Sequence, residues 1–171
     1  KCFEIESRLR AELPIPVMHD DQWGAATVTL AGIINALKLT GKNKETVKVV
    51  ISGMGAAGVA TARLFVIYGI KNIIYCDSKG MVYEGRGDLT KEKQELLDAS
   101  SLTGTEGGLG DAVVGADIFI GLSKAGTLTK EMVATMADKP VIFALANPTP
   151  EIMPDEALSA GAYIVATGRS D

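Results

Sequence analysis

Short apolar runs, rich in β-branched residues, alternate along the chain with longer segments of helical periodicity. The apolar runs predict five strands, at residues 47–52, 72–76, 116–121, 141–145 and 163–166. The segments between them predict helices at residues 56–68, 109–114, 129–137 and 154–160. Strands that are apolar along their whole length are typical of a parallel sheet covered on both faces. The pattern therefore predicts an α/β fold, a doubly wound (Rossmann-type) parallel sheet with helices on both faces.

Two further helices are predicted ahead of this alternating pattern. Residues 1–13 have the spacing of a short amphipathic helix, and Pro14 and Pro16 end it. Residues 25–39 are apolar on nearly all sides, which predicts a buried helix. Gly41 follows this helix in the position that a left-handed C-cap requires.

The pattern divides the chain into two parts. Residues 1–40 form a helical lead-in, and residues 41–171 form the alternating α/β domain. Within that domain the pattern weakens between residues 78 and 110, where glycines and charges are frequent. We interpret this stretch as a surface excursion with one polar helix at residues 91–99.

Composition excludes several classes of protein. With 47% hydrophobic and 22% charged residues the chain is typical of a globular protein, and its net charge of −4 argues against a nucleic-acid surface. Cys2 and Cys76 form no CxxC pair, so neither a disulfide framework nor a zinc site is indicated. The longest uncharged stretch, residues 22–37, is shorter than the roughly 20 apolar residues that a membrane span needs. No signal peptide is apparent and the first residue is Lys, so we expect a cytoplasmic piece of a larger protein.

A glycine-rich motif lies between the first predicted strand of the domain and the helix that follows it. Its sequence is Gly53-Met54-Gly55-Ala56-Ala57-Gly58, a complete GxGxxG. In this context the first glycine allows a tight turn, the second lets the backbone approach a pyrophosphate, and the third allows close packing of helix on strand. The N-terminus of the helix offers free N–H groups to the phosphates. The motif predicts dinucleotide binding, and the alternative is a turn that binds S-adenosylmethionine or no ligand.

An acidic residue stands where a dinucleotide-binding domain needs one. Asp77 ends the second predicted strand, about 20 residues beyond the motif, where a carboxylate can accept hydrogen bonds from the adenosine ribose. The Asp77 carboxylate would repel a 2′-phosphate, whereas Lys79 would attract one. We therefore favour NAD as the cofactor and keep NADP as the alternative.

A second polar cluster precedes the apolar helix, with the sequence His19-Asp20-Asp21-Gln22-Trp23. One aspartate is explained as an N-cap or a first-turn charge. Carboxylate oxygens are also the ligands that Mg²⁺ and Mn²⁺ prefer. If the segment is extended, adjacent side chains point to opposite sides, so one aspartate would meet a metal and the other a different partner.

Taken together, these segments resemble the NAD(P)-binding domain of malic enzymes of the bacterial type, over essentially the whole chain. The resemblance rests on the following segments: Cys2-Phe3-Glu4-Ile5-Glu6, Ile15-Pro16-Val17 with His19-Asp20-Asp21-Gln22, the glycine motif, Asn72-Ile73-Ile74 with Asp77, Tyr83-Glu84-Gly85-Arg86, Ala116-Asp117 with Phe119-Ile120-Gly121, Phe143-Ala144-Leu145-Ala146-Asn147-Pro148 and Ala166-Thr167-Gly168-Arg169-Ser170-Asp171. Trp23 departs from the pattern, which has a smaller or histidine side chain there.

The resemblance implies an oxidoreductase that converts L-malate to pyruvate and CO₂ with NAD or NADP and with Mg²⁺ or Mn²⁺. It implies that Asp21 is a metal ligand and that Asp20 pairs with a catalytic lysine. Residues 53–58 (Gly53, Met54, Gly55, Ala56, Ala57 and Gly58) would bind the pyrophosphate and Asp77 the ribose. Asn147 would lie beside the nicotinamide and the substrate, and Ser123 is a further candidate for the same crevice.

The same resemblance assigns the catalytic tyrosine and lysine to an amino-terminal domain outside these residues, and it implies two further metal carboxylates a few residues before Lys1. We therefore expect the isolated chain to be inactive and the whole enzyme to be a homo-oligomer. Two alternatives stay open. The chain could be the cofactor domain of another dehydrogenase, for example an amino-acid dehydrogenase, or a non-catalytic dinucleotide-sensing module.

Overall fold

The computed structural model describes residues 2–102 and 104–168. The helices in these ranges are α1 (Cys2–Glu12), α2 (Asp20–Thr40), α3 (Ala56–Tyr68), α4 (Lys91–Ala99), α5 (Leu109–Val113), α6 (Lys130–Ala134) and α7 (Pro154–Ser159). The strands are β1 (Val49–Ser52), β2 (Ile73–Asp77), β3 (Gly80–Met81), β4 (Ile118–Gly121), β5 (Val141–Ala144) and β6 (Ile164–Thr167).

The strands form one sheet in the order β3-β2-β1-β4-β5-β6. All neighbouring pairs are parallel except β2 with β3, which is antiparallel. After β1, the chain adds β2 and then β3 on one side of β1. It then crosses to the other side of β1, where it adds β4, β5 and β6. The order therefore reverses between β1 and β4, and this is the point where doubly wound sheets bind ligands. The predicted α/β fold is confirmed.

Each face of the sheet has its own hydrophobic core, because alternate side chains of a strand point to opposite faces. Val49 and Ile51 of β1 lie in the core beneath α2 and α3, together with Phe65. Val50 lies in the opposite core, which α5, α6 and α7 cover and which includes Val133. Burial on both faces is the physical reason why β1, β4 and β5 contain hardly any polar residues.

The second helix differs from its prediction in two ways. It begins at Asp20 rather than at residue 25, so the two aspartates belong to its first turn. It is also not buried on all sides, since Val28 and Leu39 are 67% and 71% exposed. Its end agrees with the prediction: Gly41 has a φ of +71° and donates its N–H to the Leu37 carbonyl.

The interpretation of residues 78–110 as a surface excursion is wrong in part. The predicted polar helix is present as α4, but Leu96 and Leu97 of α4 are buried against the sheet. The stretch also adds the antiparallel edge strand β3, whose Met81 is buried. A two-residue strand is too short to produce a recognisable sequence pattern.

The division of the chain at residues 40 and 41 stays a prediction. Ile33 and Leu37 of α2 lie in the same core as the first strand of the sheet. Within the described ranges, none of the helices has the length and apolar character that crossing a membrane requires.

Candidate functional site

The turn between β1 and α3 is held in a conformation that only glycine allows at two positions. Gly53 has a φ of +108°, and a Cβ there would lie 2.2 Å from the carbonyl oxygen of Leu122. A Cβ on Gly58 would lie 1.8 Å from the carbonyl oxygen of Gly53. The first glycine of the motif therefore permits the turn, and the third permits the helix to pack on it, as the motif predicts.

The second glycine of the motif has a different environment. A Cβ on Gly55 would meet no atom within 4 Å, so the protein itself leaves this space open. Gly55 is the N-cap of α3 and no side chain caps the helix, so the first N–H groups of α3 are available to a ligand. The first turn of α3 carries no acidic residue that would compete with a phosphate. This arrangement fits an anion that approaches the backbone closely.

A cavity of about 650 Å³ opens at this turn, along the carboxyl ends of β2, β1 and β4. Its lining comes from the last residues of these strands, the loops after them, the segment before α4, and α4 and α5: Ser52, Gly53, Met54, Gly55, Cys76, Asp77, Ser78, Lys79, Asp88, Lys93, Leu109, Ser123, Lys124 and Thr127. Five of the sequence-predicted site residues line it, namely Gly53, Met54, Gly55, Asp77 and Ser123. The lining does not include Asp20, Asp21, Ala56, Ala57, Gly58 or Asn147.

The carboxylate of Asp77 is already engaged by other groups of the protein. One oxygen accepts hydrogen bonds from Arg86 Nη1 at 3.1 Å and from the Lys79 N–H at 2.9 Å, and the other contacts Arg86 Nη2 and Lys93 Nζ. Burial raises the pKa of Asp77, but these hydrogen bonds outweigh it and hold the pKa well below its usual range. A carboxylate has about four acceptor positions, so a ribose hydroxyl would have to replace one of these donors.

The charges around Asp77 belong to a larger cluster. Asp88 accepts from Arg86 Nε at 2.6 Å and pairs with Lys79 Nζ at 2.6 Å. Three cationic side chains therefore surround two carboxylates at this end of the cavity. Lys79 is close to Asp77 in sequence, whereas Arg86 and Lys93 come close to Asp77 only through the fold, so their contacts with Asp77 are not predictable from the sequence.

Cys76, at the end of β2, also lines the cavity. Burial, together with the negative charge of Asp77, raises the pKa of its thiol to about 12. The thiol is therefore not a nucleophile at neutral pH. Cys76 and Cys2 are both free cysteines, which agrees with the prediction that they form no disulfide framework.

On the β4 side of the cavity, three hydroxyl groups lie in a row, with that of Ser123 in the middle. Ser123 Oγ lies 3.4 Å from Ser52 Oγ and 3.4 Å from Thr127 Oγ1. The Ser123 N–H donates to the carboxylate of Glu151 at 2.8 Å. Glu151 is fully buried, and sequence reasoning missed it, because nothing in its local sequence distinguishes it from a surface glutamate after a turn.

Asn147 lies in the loop after β5, as predicted, but it is exposed and outside the cavity lining. Its neighbour Ala146 is buried and donates its N–H to Glu151 at 3.0 Å. The Asn147–Pro148 peptide bond is cis. The predicted role of Asn147 beside the nicotinamide stays a prediction.

The residues of the His19–Gln22 segment are not part of the cavity lining. His19 is the N-cap of α2 and Asp20 and Asp21 form its first turn, so the assumption of an extended segment is wrong. Adjacent side chains of a helix are about 100° apart rather than opposite. Both carboxylates are exposed, Asp21 by 88%, and His19 Nε2 lies 3.6 Å from Asp21 Oδ2.

The rest of this polar segment has a structural explanation. Glu6 of α1 accepts from Gln22 Nε2 at 2.9 Å and from Trp23 Nε1 at 2.8 Å. Gln22 is 1% exposed, and its Nε2 also lies 3.0 Å from His19 Nδ1. Glu6, Gln22 and Trp23 therefore join α1 to α2 through satisfied hydrogen bonds, and Trp23, the departure from the family pattern, takes part in this contact.

A metal ion needs more ligands than this segment supplies. Mg²⁺ takes octahedral oxygen coordination, and Asp21 contributes one exposed carboxylate. In the part of the chain that the structure describes, no group of three or more His, Cys, Asp or Glu side chains is placed to hold a metal. These residues do not make a metal site by themselves.

The reversal of strand order, the glycine turn at the start of α3 and the cavity between them define a Rossmann-type dinucleotide-binding domain. Comparison with known proteins identifies the family. The profile described as "Malic enzyme, NAD binding domain" matches residues 23–170. The chain therefore belongs to the malic enzyme family, as the resemblance predicted, and corresponds to its NAD-binding domain.

Individual relatives agree with this assignment. The chain is 54% identical to the bifunctional malic/malolactic enzyme of Bacillus subtilis, with 99% of this chain and 42% of that protein covered. It is 49% identical to the NADP-dependent malic enzyme of Haemophilus influenzae, with 100% and 23% covered. The crystal structure of the NAD-dependent malic enzyme of Thermotoga maritima matches with a TM-score of 0.93 and 47% identity, over 99% of this chain and 46% of that one. The chain thus spans less than half the length of these relatives.

Proposed function

We propose that this chain is the cofactor-binding part of an enzyme that oxidises L-malate and decarboxylates it to pyruvate and CO₂ with NAD⁺ or NADP⁺. The observation that carries the proposal is the cavity where the strand order reverses, with Gly55 leaving open space beside the free N-terminus of α3. The relatives are named as NAD- and NADP-dependent malic enzymes. These names support malate as the substrate, and both NAD⁺ and NADP⁺ stay candidates for the cofactor.

The order of the strands suggests how a dinucleotide lies in the cavity. Its diphosphate would be held by the N–H groups of residues 55–58, between β1 and α3. The adenosine would extend towards Asp77 at the end of β2, and the nicotinamide towards Ser123 after β4. The lining of the cavity by residues after β2, β1 and β4 supports this direction.

The bound nicotinamide supplies the hydride acceptor, and this chain supplies position. Gly53 and Gly58 keep the backbone turn tight, so that the phosphates can reach the N–H groups of α3. Ser123 and Thr127 offer hydroxyl groups at the opposite end of the cavity, where they would orient the nicotinamide half.

We infer that Asp20 and Asp21 act together with groups outside this chain. As the family resemblance implies, Asp20 would pair with a catalytic lysine and Asp21 would be a ligand of a divalent metal ion. The exposure of both carboxylates at the start of α2 supports a role towards another part of the enzyme. The described residues do not complete a metal site by themselves.

Direct binding tests the proposal. The chain is titrated with NAD⁺, NADP⁺ and S-adenosylmethionine by calorimetry, each with and without Mn²⁺. We expect a nicotinamide cofactor to bind and S-adenosylmethionine not to bind. Binding of S-adenosylmethionine alone would show that the turn serves a methyl donor instead.

The same preparation tests the assignment of catalytic groups to another part of the enzyme. We expect no malate-dependent formation of NADH or NADPH by the 171-residue chain, because its only proposed metal carboxylate is the exposed Asp21. Turnover by the chain alone would contradict this assignment without affecting the binding proposal.

A further inference from the structure

A fully buried carboxylate lies beneath the β4 side of the proposed cofactor site. Glu151, in the segment between β5 and α7, is 0% exposed. One carboxylate oxygen accepts from the Ser123 N–H at 2.8 Å and from Ser123 Oγ at 3.3 Å. The other oxygen accepts from the Ala146 N–H at 3.0 Å. A single side chain therefore joins the loop after β4 to the loop after β5.

The surrounding backbone is built around this carboxylate. A Cβ on Gly121, the last residue of β4, would lie 2.3 Å from the carboxyl carbon of Glu151, so the strand must end in glycine for the side chain to enter. The main chain reinforces the contact, because the carbonyl of Glu151 accepts from the Leu128 N–H at 3.1 Å. Among the described residues, Glu151 forms no ion pair, and its carboxyl oxygens accept from backbone and hydroxyl donors.

Both ends of this connection border the proposed site. Ser123 lines the cavity, and Ala146 is followed directly by Asn147. Neither Glu151 nor Ala146 lines the cavity, so Glu151 does not contact a ligand there directly and its hydrogen bonds reach the site through the two loops that it holds. The glycine turn and Asp77, at the other end of the cavity, make no hydrogen bond to Glu151.

We propose that Glu151 is a positioning residue that fixes the loops after β4 and β5 and thereby shapes the nicotinamide half of the cofactor site. The inference rests on the proposed function, because it assumes that the nicotinamide lies on the Ser123 side. A carboxylate accepts from both loops at once. Glutamine has the same size, but it has one acceptor oxygen and a donor NH₂, so it can satisfy only one of the two backbone N–H groups.

Two ligands separate positioning from general stability. ADP occupies only the adenosine and diphosphate half of the site, whereas NAD⁺ or NADP⁺ also needs the nicotinamide half. In the full chain we expect Glu151→Gln to weaken the binding of the better nicotinamide cofactor by about tenfold, because one of the two loops loses its hydrogen bond and must be ordered by the cofactor instead. We expect the affinity for ADP to change by less than about twofold. Glu156→Gln, on the exposed face of α7, is the matched control and should change neither.

The outcomes distinguish the two proposals. If the unmodified chain binds neither ADP nor a nicotinamide cofactor, the proposed function fails. If it binds both and Glu151→Gln reduces both affinities equally, or neither, the positioning role is wrong and the proposed function stands.

A second variant covers the possibility that Glu151→Gln does not fold. Glu151→Asp keeps the charge but is shorter by one methylene, so it reaches only one loop. The same selective loss of nicotinamide cofactor is expected, and equal losses for both ligands would overturn the inference.

Discussion

The glycine-turn cavity and the His19–Gln22 segment differ in how far this chain completes them. At the cavity, groups from β2, β1, β4 and α4 converge, and the Asp77 carboxylate is paired with the cationic side chains of Arg86 and Lys93. At the start of α2, the side chains of Asp20 and Asp21 are exposed, and His19 Nε2 lies 3.6 Å from Asp21 Oδ2. The fold therefore assembles a dinucleotide-binding cavity, whereas the described residues hold no group of three or more side chains placed for a metal ion. The difference shows that the fold completes one polar region and leaves the other exposed at its surface.

The largest effect is expected for Gly58→Ala, which disrupts the glycine turn that borders the cavity. Gly58→Ala places a methyl group 1.8 Å from a backbone oxygen that cannot move without opening the turn. We expect the free energy of unfolding to fall by about 3 kcal/mol and the binding of nicotinamide cofactor to weaken by more than about 100-fold. Chemical denaturation and calorimetry measure the two effects.

Gly55→Ala is the matched control for this variant, because its methyl group enters space that the protein leaves empty. Its stability should stay within about 1 kcal/mol of the unmodified chain. Its cofactor affinity should fall by about tenfold, since the diphosphate needs that space. Unchanged affinity would mean that the diphosphate does not pass over Gly55.

A smaller effect on stability is expected when the charge of Asp77 is removed from the cavity. Asp77→Asn removes a carboxylate whose pKa is held below its usual range by Arg86, Lys93 and the Lys79 N–H. At pH 7 we expect the free energy of unfolding to fall by about 2 kcal/mol, the size of hydrogen bonds to a charged group. Denaturation curves at several pH values measure this difference.

The sign of the pH dependence follows from the lowered pKa. The stability that Asp77 contributes is fully present above its unfolded pKa, about 3.9, and is lost as pH falls towards the folded value. The gap between the unmodified chain and Asp77→Asn should therefore narrow below about pH 4. Asp155→Asn, at an exposed position, is the control. A gap that stays constant from pH 7 to pH 3 would contradict the ion-paired state of Asp77.

The smallest effect is expected at the other region. We expect about 1 mM Mn²⁺ to shift the melting temperature of the chain by less than about 1 °C, because one exposed carboxylate binds such an ion only weakly. Asp21→Asn should behave in the same way. A saturable shift of several degrees that Asp21→Asn abolishes would mean that the chain completes a metal site on its own.

Several features were predictable from sequence because they depend on neighbouring residues. All five predicted strands and the glycine turn are present, since continuous apolar runs and a GxGxxG after a strand are local signals. The start of α2 was misplaced because polar residues fill its first turn and hide the helical periodicity. The strand β3 was missed because two residues carry no pattern.

The sequence by itself determined the fold class, the position of the dinucleotide turn and the family, since local periodicity and contiguous motifs encode all three. Only the tertiary structure decided that Arg86 and Lys93 donate hydrogen bonds to the Asp77 carboxylate. It likewise decided that Glu151 joins the loops after β4 and β5. It also decided that Glu6 accounts for Gln22 and Trp23. These contacts join residues far apart in the chain, and the energy of a buried or paired charge depends on which groups the fold brings within hydrogen-bond distance.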